Sequence, residues 1–121
     1  MPARIVSSEQ PITCEDSEPE PDISIVRGKE EDFWDEHPHT ADLVIEVCVT
    51  SHEFDRLKLK AYANAEVREC WLVLVPDKKV EVYPNPVHGR FDEKQTFGPN
   101  GKLKSITVPE FTLNLEKLFA K

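Results

Sequence analysis

With 121 residues, 39% of them apolar and 31% charged, the chain has room for one small domain around one hydrophobic core. No run approaches the ~20 apolar residues of a membrane span, and the N-terminus lacks the apolar stretch of a secretory signal, so a cytoplasmic protein is expected. The net charge of −8 weakly opposes nucleic-acid binding, but residues 1–55 hold 3 Lys/Arg and 15 Asp/Glu, whereas residues 56–121 hold 12 and 8. From charge alone, a solvated acidic surface is the ordinary account of that imbalance, ahead of a charged partner.

Residues 1–21 are polar and acidic, with four prolines. Arg4 to Ser7 and Pro11 to Cys14 read as short edge segments, and Glu15 to Glu20 as a loop. Asp22 to Val26 reads as a strand ended by Arg27-Gly28. Lys29 to Thr40 is a charged loop or a single helical turn, with Phe33 and Trp34 as candidate anchors; Pro38 stops anything longer. Asp42 to Val49 is nearly continuously apolar, the pattern of a central strand buried on both faces. Thr50 and Glu53 have capping-box spacing, which opens a helix running to about Ala65. Cys70 to Val75 is a second buried strand. Pro76-Asp77-Lys78 turns it into an alternating strand over Lys79 to Tyr83. Arg90 to Phe97 is a polar edge strand, Gly98 to Gly101 a turn, and Leu103 to Val108 a last strand. Phe111, Leu113, Leu115, Leu118 and Phe119 close the core, in part from a short terminal helix.

Of the three cysteines, Cys48 and Cys70 lie in apolar strands. Buried free thiols are expected, and no paired spacing suggests zinc.

Two charges stand out in this core. Glu46 interrupts the apolar strand. On a helical wheel with Phe54 at zero, Leu57, Ala61, Ala65 and Tyr62 fall at about 300°, 340°, 20° and 80°. Lys58 falls inside that arc at about 40°, while Lys60 at about 240° faces solvent. An unpaired buried charge is costly, so Glu46 and Lys58 are either a structural pair or a functional one; Lys58 could also snorkel to water. Asp22, in a common Pro-Asp turn dipeptide, could converge with them at one edge of the sheet. Two carboxylates suit a hard cation such as Mg²⁺ or Mn²⁺, and a lysine beside them can stabilise a phosphate or help deprotonate water. His37-Pro38-His39 has metal-binding spacing but reads as a solvated loop. His52 reads as a surface residue near the helix start, and Trp71 and Tyr62 as core.

The succession Glu20-Pro21-Asp22-Ile23-Ser24-Ile25-Val26, Asp42-Leu43-Val44-Ile45-Glu46-Val47, Thr50-Ser51, Asp55, Lys58, Tyr62-Ala63 and Glu69-Cys70-Trp71-Leu72-Val73 resembles the Uma-type family of restriction-endonuclease-like proteins, in the PD-(D/E)XK superfamily. The resemblance is close over residues 18 to 83. It implies an α/β fold with a mixed central sheet, a helix after the Glu46 strand and a β-rich C-terminal half, organised as edge segments and loop (1–21), catalytic core (22–75) and hairpin with C-terminal strands (76–121). It implies that Asp22, Glu46 and the Val47 backbone carbonyl hold Mg²⁺ or Mn²⁺, and that Lys58 completes a site for hydrolysing DNA. A homodimer is expected on a separate ground, that an incomplete sheet edge invites pairing. Cys48 occupies the usual lysine position, and Lys58 on the next helix matches the family's alternative.

Three departures stand against that pattern. The family has further N-terminal elements before Glu-Pro-Asp, so an N-terminally shortened domain is expected. Glu66 replaces a glycine at the helix end. The Asp55 to Lys58 spacing is three rather than four. The competing reading is a catalytically inert module of the same fold that acts in dimerisation or protein binding.

Overall fold

The computed structural model describes residues 3–50 and 56–120. Strands β1 (Arg4–Ser8), β2 (Ile23–Arg27), β3 (Leu43–Cys48), β4 (Glu69–Leu74), β5 (Lys79–Pro84) and β6 (Gln95–Phe97) form one sheet in sequence order. Neighbours are antiparallel except β3 and β4, which are parallel. A parallel pair needs a crossover, and helix α1 (Arg56–Asn64) lies in it. A two-stranded sheet of β7 (Lys102–Lys104) and β8 (Thr112–Asn114), with the short helix α2 (Leu115–Leu118), follows.

Alternation along the strands divides the core into two layers. One face carries Leu43, Ile45, Trp71, Val73, Val80 and Val82, covered by Leu103, Val108, Leu115 and Phe119. The other carries Val44, Cys70, Leu72 and Tyr83, covered by Tyr62 and Val67 from the helix side and by Ile12. Burial of β3 on both faces follows, as its apolar run predicts.

The structure alters several expectations. Pro11 to Cys14 is not a strand; Ile12 is instead a fully buried plug, with its amide bonded to the Pro19 carbonyl at 3.0 Å. Trp34 is not an anchor: it is 74% exposed, while Phe33 alone packs inward. Leu57, placed inside the apolar arc by the wheel, is 71% exposed, and Leu118 also faces solvent. Ser51 to Asp55, which carry most of the expected capping box, His52 and Asp55, lie outside the described residues.

The expected strand to Val108 ends at Lys104 for a specific reason. The chain turns there to satisfy Glu69, a fully buried carboxylate. Glu69 accepts hydrogen bonds from Trp71 Nε1 (2.7 Å), Ser105 Oγ (2.6 Å) and the amides of Ile106 (3.3 Å) and Thr107 (3.0 Å). These bonds tie the start of β4 to the C-terminal sheet.

The helix stops as the sequence expects, at Glu66 in the left-handed region (φ 61°). The Glu66 amide donates to Ala63 O and the Val67 amide to Tyr62 O, both at 3.0 Å, a Schellman closure whose apolar contact joins Val67 and Tyr62.

Replacing Glu69 with Ala would orphan four donors, and urea denaturation should show a loss of more than about 3 kcal/mol. Glu66→Gly relieves the positive φ and should raise stability by roughly 0.5–1 kcal/mol in the same assay, because a side chain is strained there.

Candidate active site

Glu46 points from β3 toward the helix-covered face and is buried. Its register partner on β4 is Leu72. Extending the β2–β3 register by one residue sets Asp22 opposite Glu46, at the very start of β2. The short linkage between the two is a backbone one: Asp22 Oδ2 accepts the Val47 amide at 2.6 Å. The carboxylate of Asp22 is thereby fixed beside the peptide that follows Glu46.

Tyr62, buried on α1, donates its hydroxyl to Glu46 Oε2 at 2.6 Å. Lys58 lies one helical turn earlier, so both side chains project from one face of α1. Its Nζ is 3.9 Å from the same Oε2, and its side chain is 43% exposed. Lys58 is therefore not sunk into the core. Its ammonium lies near Glu46 while much of the side chain is open to solvent. Lys60 is exposed, as the wheel expects.

Burial holds the Glu46 carboxyl above the usual carboxylate range, and the nearby Asp22 charge adds to this; the Tyr62 hydrogen bond and the Lys58 charge act in the opposite direction. Tyr62 itself is pushed strongly up by burial and by its bond to Glu46, so the phenol stays protonated and remains a donor.

Among the described residues, Asp22 Oδ2 accepts the Val47 amide and Glu46 Oε2 the Tyr62 hydroxyl, and a backbone bond from Asp22 also reaches the Glu46 carboxylate, so the two carboxylates are held beside one another. Two fixed hard-oxygen donors fit Mg²⁺ or Mn²⁺, which commonly take one or two protein carboxylates and keep several waters. Among the described residues no group of three or more His, Cys, Asp or Glu side chains forms a metal cluster. His37 and His39 are exposed on their loop, and His39 pairs with Glu36 at 2.5 Å.

The sequence reading assigned Tyr62 to the core alone. The signal that it does more was available: a buried phenol needs a partner, and Tyr62 follows Lys58 by four residues.

The chain matches the model of the Uma2 family, described as “Putative restriction endonuclease”, over residues 2–116. It belongs to the Uma2 family. No curated protein matches it. Among solved structures it is similar to “a putative nuclease belonging to DUF820 from Anabaena variabilis”, at 21% identity and a TM-score of 0.70. That likeness covers 96% of this chain and 68% of the other, and supports a nuclease-like fold for this Uma2 domain.

The direction of the Glu46 shift sets a stability test in EDTA. The folded state holds the Glu46 proton more tightly than the unfolded chain does. Ionised Glu46 therefore costs stability above its folded pKa, and the cost vanishes below the unfolded value. Thermal melts should show Glu46→Gln as stable as the wild type or more so at neutral pH, with the gain shrinking as pH falls through the carboxyl range. A lower Tm for the variant at neutral pH would mark the Glu46–Lys58 pair as net structural support.

Proposed function

We propose that this Uma2 domain is a Mg²⁺- or Mn²⁺-dependent endonuclease that hydrolyses phosphodiester bonds in DNA. The observation that carries the reading is a single buried oxygen, Glu46 Oε2, approached by a tyrosine hydroxyl at 2.6 Å and a half-exposed lysine at 3.9 Å, with a second carboxylate fixed beside it. A purely structural ion pair would not need Asp22 tied to the next amide. Asp22, Glu46 and the backbone carbonyl of Val47 would hold the ion. When bound, such an ion supplies Lewis-acid polarisation of a phosphoryl oxygen and a nucleophile at neutral pH.

The side chains supply the remaining functions. Tyr62 fixes the orientation of Glu46 by holding Oε2 toward α1. Lys58 stands where negative charge grows on the phosphate and can donate to it without leaving its place. The protonated fraction of Glu46 falls as pH rises, so cation binding strengthens with pH through the carboxyl range.

A cytoplasmic protein and a homodimer belong to the same proposal. No helix among the described residues is long and apolar enough to cross a membrane, and all three cysteines are outside disulfides. The edge strand β1 carries Val6, 67% exposed, which suits pairing with a second copy.

Plasmid and oligonucleotide cleavage with Mg²⁺ or Mn²⁺ tests the reading. Glu46→Gln and Lys58→Ala should each lower the rate by about 100-fold or more while circular dichroism is unchanged. Calorimetry should show cation binding lost in Glu46→Gln and kept in Lys58→Ala. A wild-type protein that neither cleaves nucleic acid nor binds the cation would instead be an inert binding module of the same fold.

Tyr62→Phe provides a separate check. Losing the phenol raises the Glu46 carboxyl further, because that hydrogen bond favours the ionised form. The acid limb of the pH–rate profile should move to higher pH, with the alkaline side little changed.

A further inference from the structure

A second buried glutamate, outside the set that would hold the cation, lies on the same face of the sheet. Glu81 on β5 is the register partner of Leu72, which is the partner of Glu46. Glu46, Leu72 and Glu81 therefore form one row across β3, β4 and β5. The surroundings of the two carboxylates correspond. Glu81 Oε1 accepts the hydroxyl of the buried Tyr83 at 2.7 Å, and Lys94 Nζ lies 3.7 Å from Oε2. Lys94 immediately precedes β6, where continuing the β5–β6 register sets it opposite Tyr83. Its side chain is 52% exposed, so the ammonium is anchored at a buried carboxylate and still open to solvent.

We propose that Lys94, held by Glu81, is a second phosphate-binding position for the nucleic acid cut at Glu46 and Lys58; the inference rests on the nuclease reading. The row sets Glu46 and Glu81 two strand spacings apart, on the order of 10 Å, with an ammonium 3.9 Å from the first carboxylate and 3.7 Å from the second. Leu72 is the apolar residue between them. A chain of phosphates is a ligand with repeated anionic groups that can meet both at once. Lysine normally loses side-chain freedom when it binds. The contact with Glu81 has already restricted Lys94, so a phosphate contact there costs less. Lys79, on the same face of β5 one row further, extends the basic side of this track. The positive balance of residues 56–121 agrees with it.

Lys94 would position the backbone and take no part in cleavage. The alternative is that Glu81 and Lys94 only fasten the short edge strand β6.

The test is the salt dependence of binding to a fluorescein-labelled 20-base-pair DNA duplex in EDTA, from about 50 to 200 mM KCl. Wild type, Lys94→Ala, Lys94→Gln, Lys94→Arg and the exposed-lysine control Lys60→Ala are compared. Loss of one phosphate contact reduces the salt slope by about 0.9, so the affinity lost across that range shrinks by about 3- to 4-fold. Lys94→Ala and Lys94→Gln should both show this, Lys94→Arg should restore the slope, and Lys60→Ala should keep it. Single-turnover cleavage at saturating DNA should stay at the wild-type rate in both neutral variants.

A lowered Tm with a wild-type salt slope would overturn the proposal and leave Lys94 as a fastener of β6. If the wild type cleaves DNA and Lys58→Ala does not, while Lys94→Ala keeps the wild-type slope, the proposal fails and the nuclease reading stands. A wild-type protein with no salt-dependent DNA binding and no cleavage overturns both.

Discussion

A carboxylate in a protein interior must be given donors, and three such carboxylates organise this sheet. Glu46, Glu69 and Glu81 lie on the adjacent strands β3, β4 and β5, and all three are buried. Their solutions differ. Glu69 receives four donors, two of them backbone amides, in a pocket closed by the C-terminal segment. That arrangement leaves its oxygens satisfied and its position fixed, as structure requires. The partners of Glu46 and Glu81 include, for each, one short tyrosine bond and a half-exposed lysine near the limit of an ion pair, so an ammonium open to solvent stands at each carboxylate.

The parallel pairing of β3 and β4 explains how one helix can serve Glu46. The chain must cross over between the two strands, and α1 in that crossover packs on the face Glu46 points to. The Schellman closure at Glu66 and Val67 returns the chain to β4 after the four residues that follow the helix. The same closure engages the Tyr62 carbonyl and packs Val67 against the Tyr62 ring. The residue that positions Glu46 is thus fixed by the helix end, and Lys58 follows because it lies one turn away. Packing at Val67 and the orientation of Glu46 are coupled through one side chain.

Much of this was readable in the residues. The apolar run Leu43 to Cys48 forecast a central strand, and the break at Glu46 marked a carboxylate that is buried against Tyr62 and Lys58. The wheel separated Lys58 from Lys60 correctly, although it placed Leu57 wrongly. Periodicity assigns a residue to an arc, but the arc's edge is decided by what packs there, and the sheet covers the Tyr62 side of α1. Ile12 was unreadable for a related reason: a single apolar residue among prolines has no period, and only the loop bond to Pro19 turns it inward. The burial of Glu69 and Glu81 is hidden in the sequence because, beyond Trp71 and Tyr83 two residues along, their partners include distant segments, Ser105 to Thr107 and Lys94. Sequence pattern registers neighbours along the chain, whereas a buried carboxylate is satisfied by neighbours in space.

The lysine shows how that distinction shapes the site. Cys48 shares the face of Glu46, two residues along β3, and its side chain is buried. A lysine at that position would start from an enclosed point on the sheet and would have to carry its ammonium out of the core. Burial disfavours its charged form, so it would be least charged where charge is wanted. From α1, Lys58 starts outside the sheet and reaches inward. Its side chain stays 43% exposed, while Glu46 Oε2 still lies 3.9 Å from its ammonium. The thiol at Cys48 fills the space that a longer side chain would have to cross. The helix can therefore supply the cation only because the strand beneath it is closed, and the packing of Cys48 and the reach of Lys58 are two parts of one arrangement.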